Sequence, residues 1–153
     1  MITVTEANLA DAHELAPKLG DMELLEIKHC APEMTPLGAL KAAFKDRHRV
    51  KAIRDTEDGV ISLFGVNEVK YREGVAWMLN SKGFFERGIT HRFVRESKEY
   101  IKEQMVYFDL IYNFVSVQNK PSIKWLTLLG FTIVEDNPID ITGEPFYFFY
   151  LRK

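Results

Sequence analysis

The chain has 153 residues, 46% of them hydrophobic and 27% charged, with a formal net charge of −2. That length and balance suit one globular domain, residues 1–153, around one core, and they exclude the basic excess that a nucleic-acid partner selects for. The single cysteine, Cys30, excludes an internal disulfide and points to a reducing compartment.

The opening MITVTEANLADA lacks the basic and apolar regions of a signal peptide. No apolar run reaches the roughly 20 residues that span a bilayer, so no membrane is expected and the expected location is the cytoplasm. In chain order, residues 2–5 alternate apolar and polar and predict a strand. Thr5 or Asn8 can cap the helix that follows, with Leu9, Ala12, Leu15 or Ala16, and Leu19 facing inward. Pro17 ends or kinks it. Residues 22–29 predict a second helix with Leu24, Leu25 and Ile27, followed by Cys30 as a small buried apolar residue. Thr35-Pro36 is a cap followed by proline at the first helical position, so residues 36–45 predict a third helix.

Residues 49–54 and 60–66 predict an antiparallel pair around the turn sequence Thr56-Glu57-Asp58-Gly59. The basic stretch 41–54, with six Lys/Arg and one Asp, reads as a solvated helix end and strand start. Residues 74–79 (GVAWML) form a nearly continuous apolar run, as a central strand covered on both faces would. Residues 88–106 predict a long amphipathic helix with Ile89, Phe93, Ile101 and Met105 inward. Residues 110–117 predict another buried strand, and 122–129 a short helix that Gly130 ends. Two last strands are expected at 131–134 and 146–151, joined by a turn-rich loop over 137–144. The whole is a mixed α/β sheet of six or seven strands with helices on both faces.

The sequence Asn119 to Phe131 (NKPSIKWLTLLGF) places an asparagine after a strand, then a short helix closing on Leu129-Gly130-Phe131. That segment, within the strand order around it, resembles the GNAT acetyltransferase superfamily. The resemblance implies acetyl-CoA as cofactor, an amine-bearing substrate and N-acyl transfer. It also implies a loop of the form Gln/Arg-x-x-Gly-x-Gly/Ala at a helix start, where backbone N–H groups hold the pyrophosphate. Here the loop corresponds to Phe85-Glu86-Arg87-Gly88-Ile89-Thr90. Gly88 matches, Thr90 replaces the second small residue and Phe85 the Gln/Arg, with Arg87 and Lys82 able to supply charge. A helix that simply starts at glycine is the other reading of the same residues. His91, in the first turn after the loop, can face a phosphate or solvent.

Further residues follow from the same resemblance. The strand ending in Met78 and Leu79 supplies backbone N–H groups that polarise the thioester carbonyl. Ser116 lies near the cofactor channel, and Asn119 bonds the pantetheine arm or caps the short helix. The tyrosine that protonates the leaving thiolate in many of these enzymes corresponds to Leu126. The strand 74–79 carries no carboxylate to act as base, and Glu68 and Glu73 beside it read as surface residues, so the catalytic residues are left open. A closer resemblance, from about Val75 onward, is to small tailed-phage proteins of the internal virion protein A type, a GNAT-like family. It rests on Asp109, Asn113, Val117, Asn119, Ile123 and Gly130, and implies a role in virion assembly with a phage or host protein as partner. No histidine or cysteine spacing forms a metal site, so none is expected. The aromatic strip 146–150 alternates across a strand; if one side is uncovered it offers a patch for a partner or a second copy, as a homodimer.

Overall fold

The computed structural model describes residues 1–44, 50–88 and 91–153. The expected strand start at Arg49, the basic residues 45–49 and the site candidates Ile89 and Thr90 lie outside the described residues. Seven strands form one mixed sheet: β1 (Ile2–Glu6), β2 (Lys51–Asp55), β3 (Gly59–Lys70), β4 (Glu73–Asn80), β5 (Leu110–Ser116), β6 (Thr132–Ile141) and β7 (Glu144–Arg152), in the order β1-β2-β3-β4-β5-β7-β6. The described helices are α1 (Leu9–Leu15), α2 (Asp21–Cys30), α3 (Pro36–Ala42), α4 (His91–Gln104) and α5 (Lys120–Leu128). Two compact units divide the chain, one of residues 1–67 with 76–84, the other of 68–75 with 85–153.

In the first unit, β1 pairs antiparallel with β2, and β2 with β3. Gly59, at φ +73°, supplies the left-handed residue that closes the β2–β3 turn. Asn8 caps α1, and the cap is reciprocal: the Asp11 N–H donates to Asn8 Oδ1 at 3.2 Å, and the Asn8 N–H to Asp11 Oδ2 at 2.8 Å. Pro17 sits in a 3-10 turn that follows α1 directly. Ala12, Leu15 and Leu19 from this segment pack with Ile27, Leu40, Val50, Ala52, Val60 and Leu63 into a core. Leu9 is exposed, against expectation, as is Leu24. Helix α1 is two turns long, and its cover falls on Asp11, Ala12 and Leu15 rather than on its first residue. Cys30 is also exposed rather than buried, because it is the last residue of α2, one turn beyond the inward Ile27.

Asp11 has a second task. Its two oxygens accept from Arg54 Nη1 and Nη2, each at 2.8 Å, while its side chain is 5% exposed and that of Arg54 32%. The bidentate fork ties α1 to β2. Asp11→Ala removes both the fork and half of the capping box. Loss of one partner of a fully buried pair costs about 3–5 kcal/mol, but Arg54 can rehydrate, so a loss of about 2 kcal/mol is expected. It should appear as a lower urea midpoint at unchanged slope.

In the second unit, β4 runs parallel to β5 over the register Glu73–Leu110, Gly74–Ile111 and Val75–Tyr112. β5 pairs antiparallel with β7 from Leu110–Arg152 to Ser116–Phe146. Arg72, at φ +60°, caps the turn before β4 and donates to both oxygens of Asp109, at 3.0 and 2.9 Å. The pairing holds the Asp109 carboxyl below the ordinary aspartate range, chiefly through those hydrogen bonds. Phe146 and Phe149 are buried, and Phe148 stacks on Tyr150 at 5.7 Å.

Three expectations need correction here. The segment 137–144 is not a turn-rich loop: β6 continues to Ile141, and the hairpin turns on Thr142 and Gly143, at φ +46° and +91°. The Asn, Asp and Pro that read as turn residues lie on an edge strand, where Pro138 removes no needed ladder bond. The register slips between Val134 and Ile139, which absorbs the irregularity. Strand β4 is not sealed on both faces either, since Gly74 and Ala76 are buried while Val75, Trp77, Met78 and Leu79 are half-buried. The helix expected over 88–106 is α4, His91–Gln104, with Gly88 and Met105 outside it; Phe93 and Ile101 are half-buried on its less exposed side, as expected, and Gln104 is buried.

Candidate functional site

The second unit contains Arg87, Gly88, Ser116 and Asn119, on β5, at the start of α5 and in the turn before α4. Strand β5 ends at Ser116, whose backbone oxygen accepts from the Asn119 N–H at 2.9 Å. Asn119 is 3% exposed, and its Oδ1 accepts from the Ser122 N–H at 3.3 Å. It is therefore the cap of α5, and Pro121 fills the first turn where no donor is required. Ser116 Oγ donates to Glu144 Oε1 at 3.1 Å, and Gln118 Nε2 donates to the same oxygen at 2.7 Å. That buried carboxyl pins the loop between β5 and α5. Helix α5 ends as expected, with Gly130 at φ +98°.

Trp125, 4% exposed, joins α5 to the turn and to α4. Its ring stacks on Phe93 with centroids 5.2 Å apart and meets Phe85 at 6.4 Å. Beyond Phe85 the 3-10 turn ends at Arg87, which is exposed, and Gly88 follows at φ +85°. A Cβ placed on Gly88 would meet nothing within 4 Å. A left-handed residue with open space beside it is backbone that a ligand can approach closely. His91 opens α4 and is exposed.

The first unit holds the other two candidates. Met78 and Leu79 lie in β4 beyond its register with β5, which covers Glu73 to Val75. Leu79 packs its side chain against the helical core, as Trp77 does.

This unit also holds a polar cluster that the sequence pattern does not announce. Glu23 of α2 is 7% exposed, beside Asn80 at the end of β4. Burial pushes its carboxyl above the ordinary glutamate range, while its own backbone N–H and Asn80 pull it part of the way back. Ser62 Oγ donates to Asn80 Oδ1 at 2.6 Å. A signal existed in the two polar residues, Asn80 and Ser81, that end an apolar strand. The glutamate itself carried none.

No protein-family model and no curated protein matches the sequence. Solved structures do match over nearly the whole chain. A GCN5-related N-acetyltransferase from Kribbella flavida superposes with a TM-score of 0.71 at 16% identity, covering 99% of this chain and 98% of that one. Spermidine N-acetyltransferase from Vibrio cholerae, solved with CoA and spermine, gives 0.67 at 15% identity over 99% and 95%. The structure of yncA from Salmonella typhimurium with its cofactor acetyl-CoA gives 0.67 at 15% identity over 99% and 93%. The fold is that of the GNAT acetyltransferases.

Asn119 caps its own helix. Leu126, where a catalytic tyrosine was sought, is half-buried in α5. Among the described residues no group of three or more His, Cys, Asp or Glu can hold a metal ion. No described helix is long and apolar enough to cross a membrane. Cys30 is exposed at the end of α2, and desolvation by its neighbours, with Glu26 nearby, pushes its thiol up and disfavours the thiolate.

Proposed function

We propose that the chain binds acetyl-CoA and transfers its acetyl group to an amine. The observation that carries the reading is Gly88, an open left-handed turn before α4 in a fold shared with proteins solved with CoA or acetyl-CoA. The peptide groups from Arg87 to Thr90 would hold the pyrophosphate, with the Arg87 guanidinium beside them. The N–H groups of Met78 and Leu79 would meet the thioester carbonyl, where fixed donors favour developing negative charge. Asn119 would order the loop after β5, its oxygen being engaged by Ser122. When bound, acetyl-CoA would supply an activated acyl carbon, which the peptide groups of Met78 and Leu79 would orient.

Leu126 favours a second reading, in which the fold is kept without chemistry, as in a phage virion-assembly protein. One experiment separates the two. Thermal unfolding is followed with and without acetyl-CoA, and single-turnover acetylation of an amine panel is measured on the same protein. A ligand bound only by the folded state at about a hundred times its Kd stabilises by about 2.7 kcal/mol. The expected result is a raised midpoint together with slow acetylation that Leu126→Tyr accelerates. A raised midpoint without turnover leaves a binding protein, and no shift at millimolar acetyl-CoA ends the acetyl-CoA reading.

A further inference from the structure

The aromatic strip 146–150 offers no open patch, since each of its residues is buried or half-buried. The exposed apolar surface of the second unit lies elsewhere. Apart from Met1, the most exposed large hydrophobic residues among those described are Tyr71 at 78%, Val106 at 63%, Tyr107 at 55% and Val69 at 51%. They come from two segments far apart in sequence, the end of the β3–β4 hairpin and the loop from α4 into β5.

Those segments are fastened to each other. The Asp109 N–H donates to the Arg72 carbonyl at 2.8 Å, and Arg72 Nη2 donates to the Val106 carbonyl at 3.4 Å beside its fork on Asp109. Tyr71 is near enough to Arg72 for its phenol to act on the guanidinium. Exposed apolar residues scattered singly are ordinary, but four on one braced support form a patch. With roughly 150–250 Å² to an aromatic side chain, the exposed parts of the four come to about 450 Å². A standard interface buries about 800 Å² on each partner, a little over half of it apolar, so the patch has the size of one interface's apolar centre.

The charges around it choose the partner. Lys70, Arg72, Arg152 and Lys153 stand against Glu68, Glu73, Glu103 and Asp109. Lys70 pairs with Glu73 at 4.0 Å, the Lys153 N–H donates to the Asp109 carbonyl, and the Glu103 carbonyl accepts from the Val106 N–H. The basic excess that an anionic membrane or a nucleic acid selects for is absent. A rim of balanced sign is complementary to its own copy turned about a two-fold axis, where positive groups can face negative ones.

We propose that this patch is a homodimer interface, with Tyr71, Tyr107, Val69 and Val106 of both copies packed at its centre. Tyrosine is enriched at such centres and carries much of their binding energy. The interface is remote from the candidate site. The 14 residues of α4 separate the Val106–Tyr107 loop from the Gly88 turn, and the 7 residues of β5 separate Asp109 from the loop at Asn119. Each distance is about 20 Å. The dimer is therefore independent of the acetyl-CoA reading and is tested without that ligand.

The test is sedimentation velocity on the full chain from about 1 μM to about 1 mM, a range that covers weak association. The parent should pass from monomer to dimer. Tyr71→Asp and Tyr107→Asp should each weaken association at least about a hundredfold, because a substitution enters a two-fold interface twice. The double variant Tyr71→Ala with Tyr107→Ala, which adds no charge, should also stay monomeric. Leu24→Asp, at an exposed apolar residue of the other unit, should dimerise as the parent does. Thermal unfolding at about 1 μM reads folding separately, and the variants should match the parent closely, since exposed side chains contribute little to it. A parent that is monomeric at about 1 mM overturns the proposal, and so does a dimer that survives the loss of both tyrosines.

Discussion

Gly88→Glu should abolish the thermal shift given by acetyl-CoA, and Gly88→Ala should keep part of it. The two variants share one cost. At φ +85° any side chain is strained by about 1–2 kcal/mol, which lowers the midpoint in the absence of ligand by about 2–8 °C. In both, the first side-chain carbon enters open space. Only glutamate places a negative charge where a pyrophosphate would lie, on backbone whose N–H groups favour an anion. The difference between the ligand shifts of the two variants therefore isolates the phosphate contact from the strain. With ligand at about a hundred times Kd, the parent should gain about 2.7 kcal/mol, or about 5–10 °C for a chain of this size. If Gly88→Glu gains as much as the parent, the turn is a helix start and nothing more, and the acetyl-CoA reading loses its main support.

The fold was legible because its signals are local. Asn8, Thr35 and Asn119 precede the helices they cap, Gly59 and Gly130 take the left-handed conformations that their turns need, and the stretches read as strands from alternation or apolar runs lie in the sheet. The errors share a cause too. Pro138 and its acidic neighbours mark a turn by composition, but edge position in a sheet is a tertiary property that changes what proline costs. Leu9 and Cys30 are apolar in kind, yet each lies at a helix end where the covering element stops. The candidate site divides the same way. Gly88 could be found from sequence because a glycine before a helix is a local cue, though its open surroundings could not. Glu23 could not be found at all. An acidic residue in the first turn of a helix is favoured by the helix dipole wherever the helix lies. It becomes a buried carboxyl only because the end of β4, more than fifty residues later, closes over it.

Trp125→Ala should cost about 3–5 kcal/mol, the range for emptying a buried aromatic site. The ring is 4% exposed and has two aromatic partners, Phe93 in α4 and Phe85 in the turn that leads to Gly88. Each such pair adds about 0.5–1.5 kcal/mol beyond the area it buries. Domains of ordinary stability hold only about 5–15 kcal/mol, so the variant should lose a third or more of the total, seen as a large fall in the urea midpoint. Trp125→Phe keeps a ring in the site and should lose less. The two variants also report on function. Successive helical residues point about 100° apart, so Trp125 anchored inward fixes where Leu126 projects. If the Phe85–Trp125 contact positions the phosphate turn, Trp125→Phe should reduce the acetyl-CoA shift by more than its own loss of stability, because the smaller ring reaches Phe85 less well. If Trp125→Phe loses stability and keeps the full ligand shift, Trp125 serves the core alone, and the Gly88 turn is held by the backbone of the segment before it.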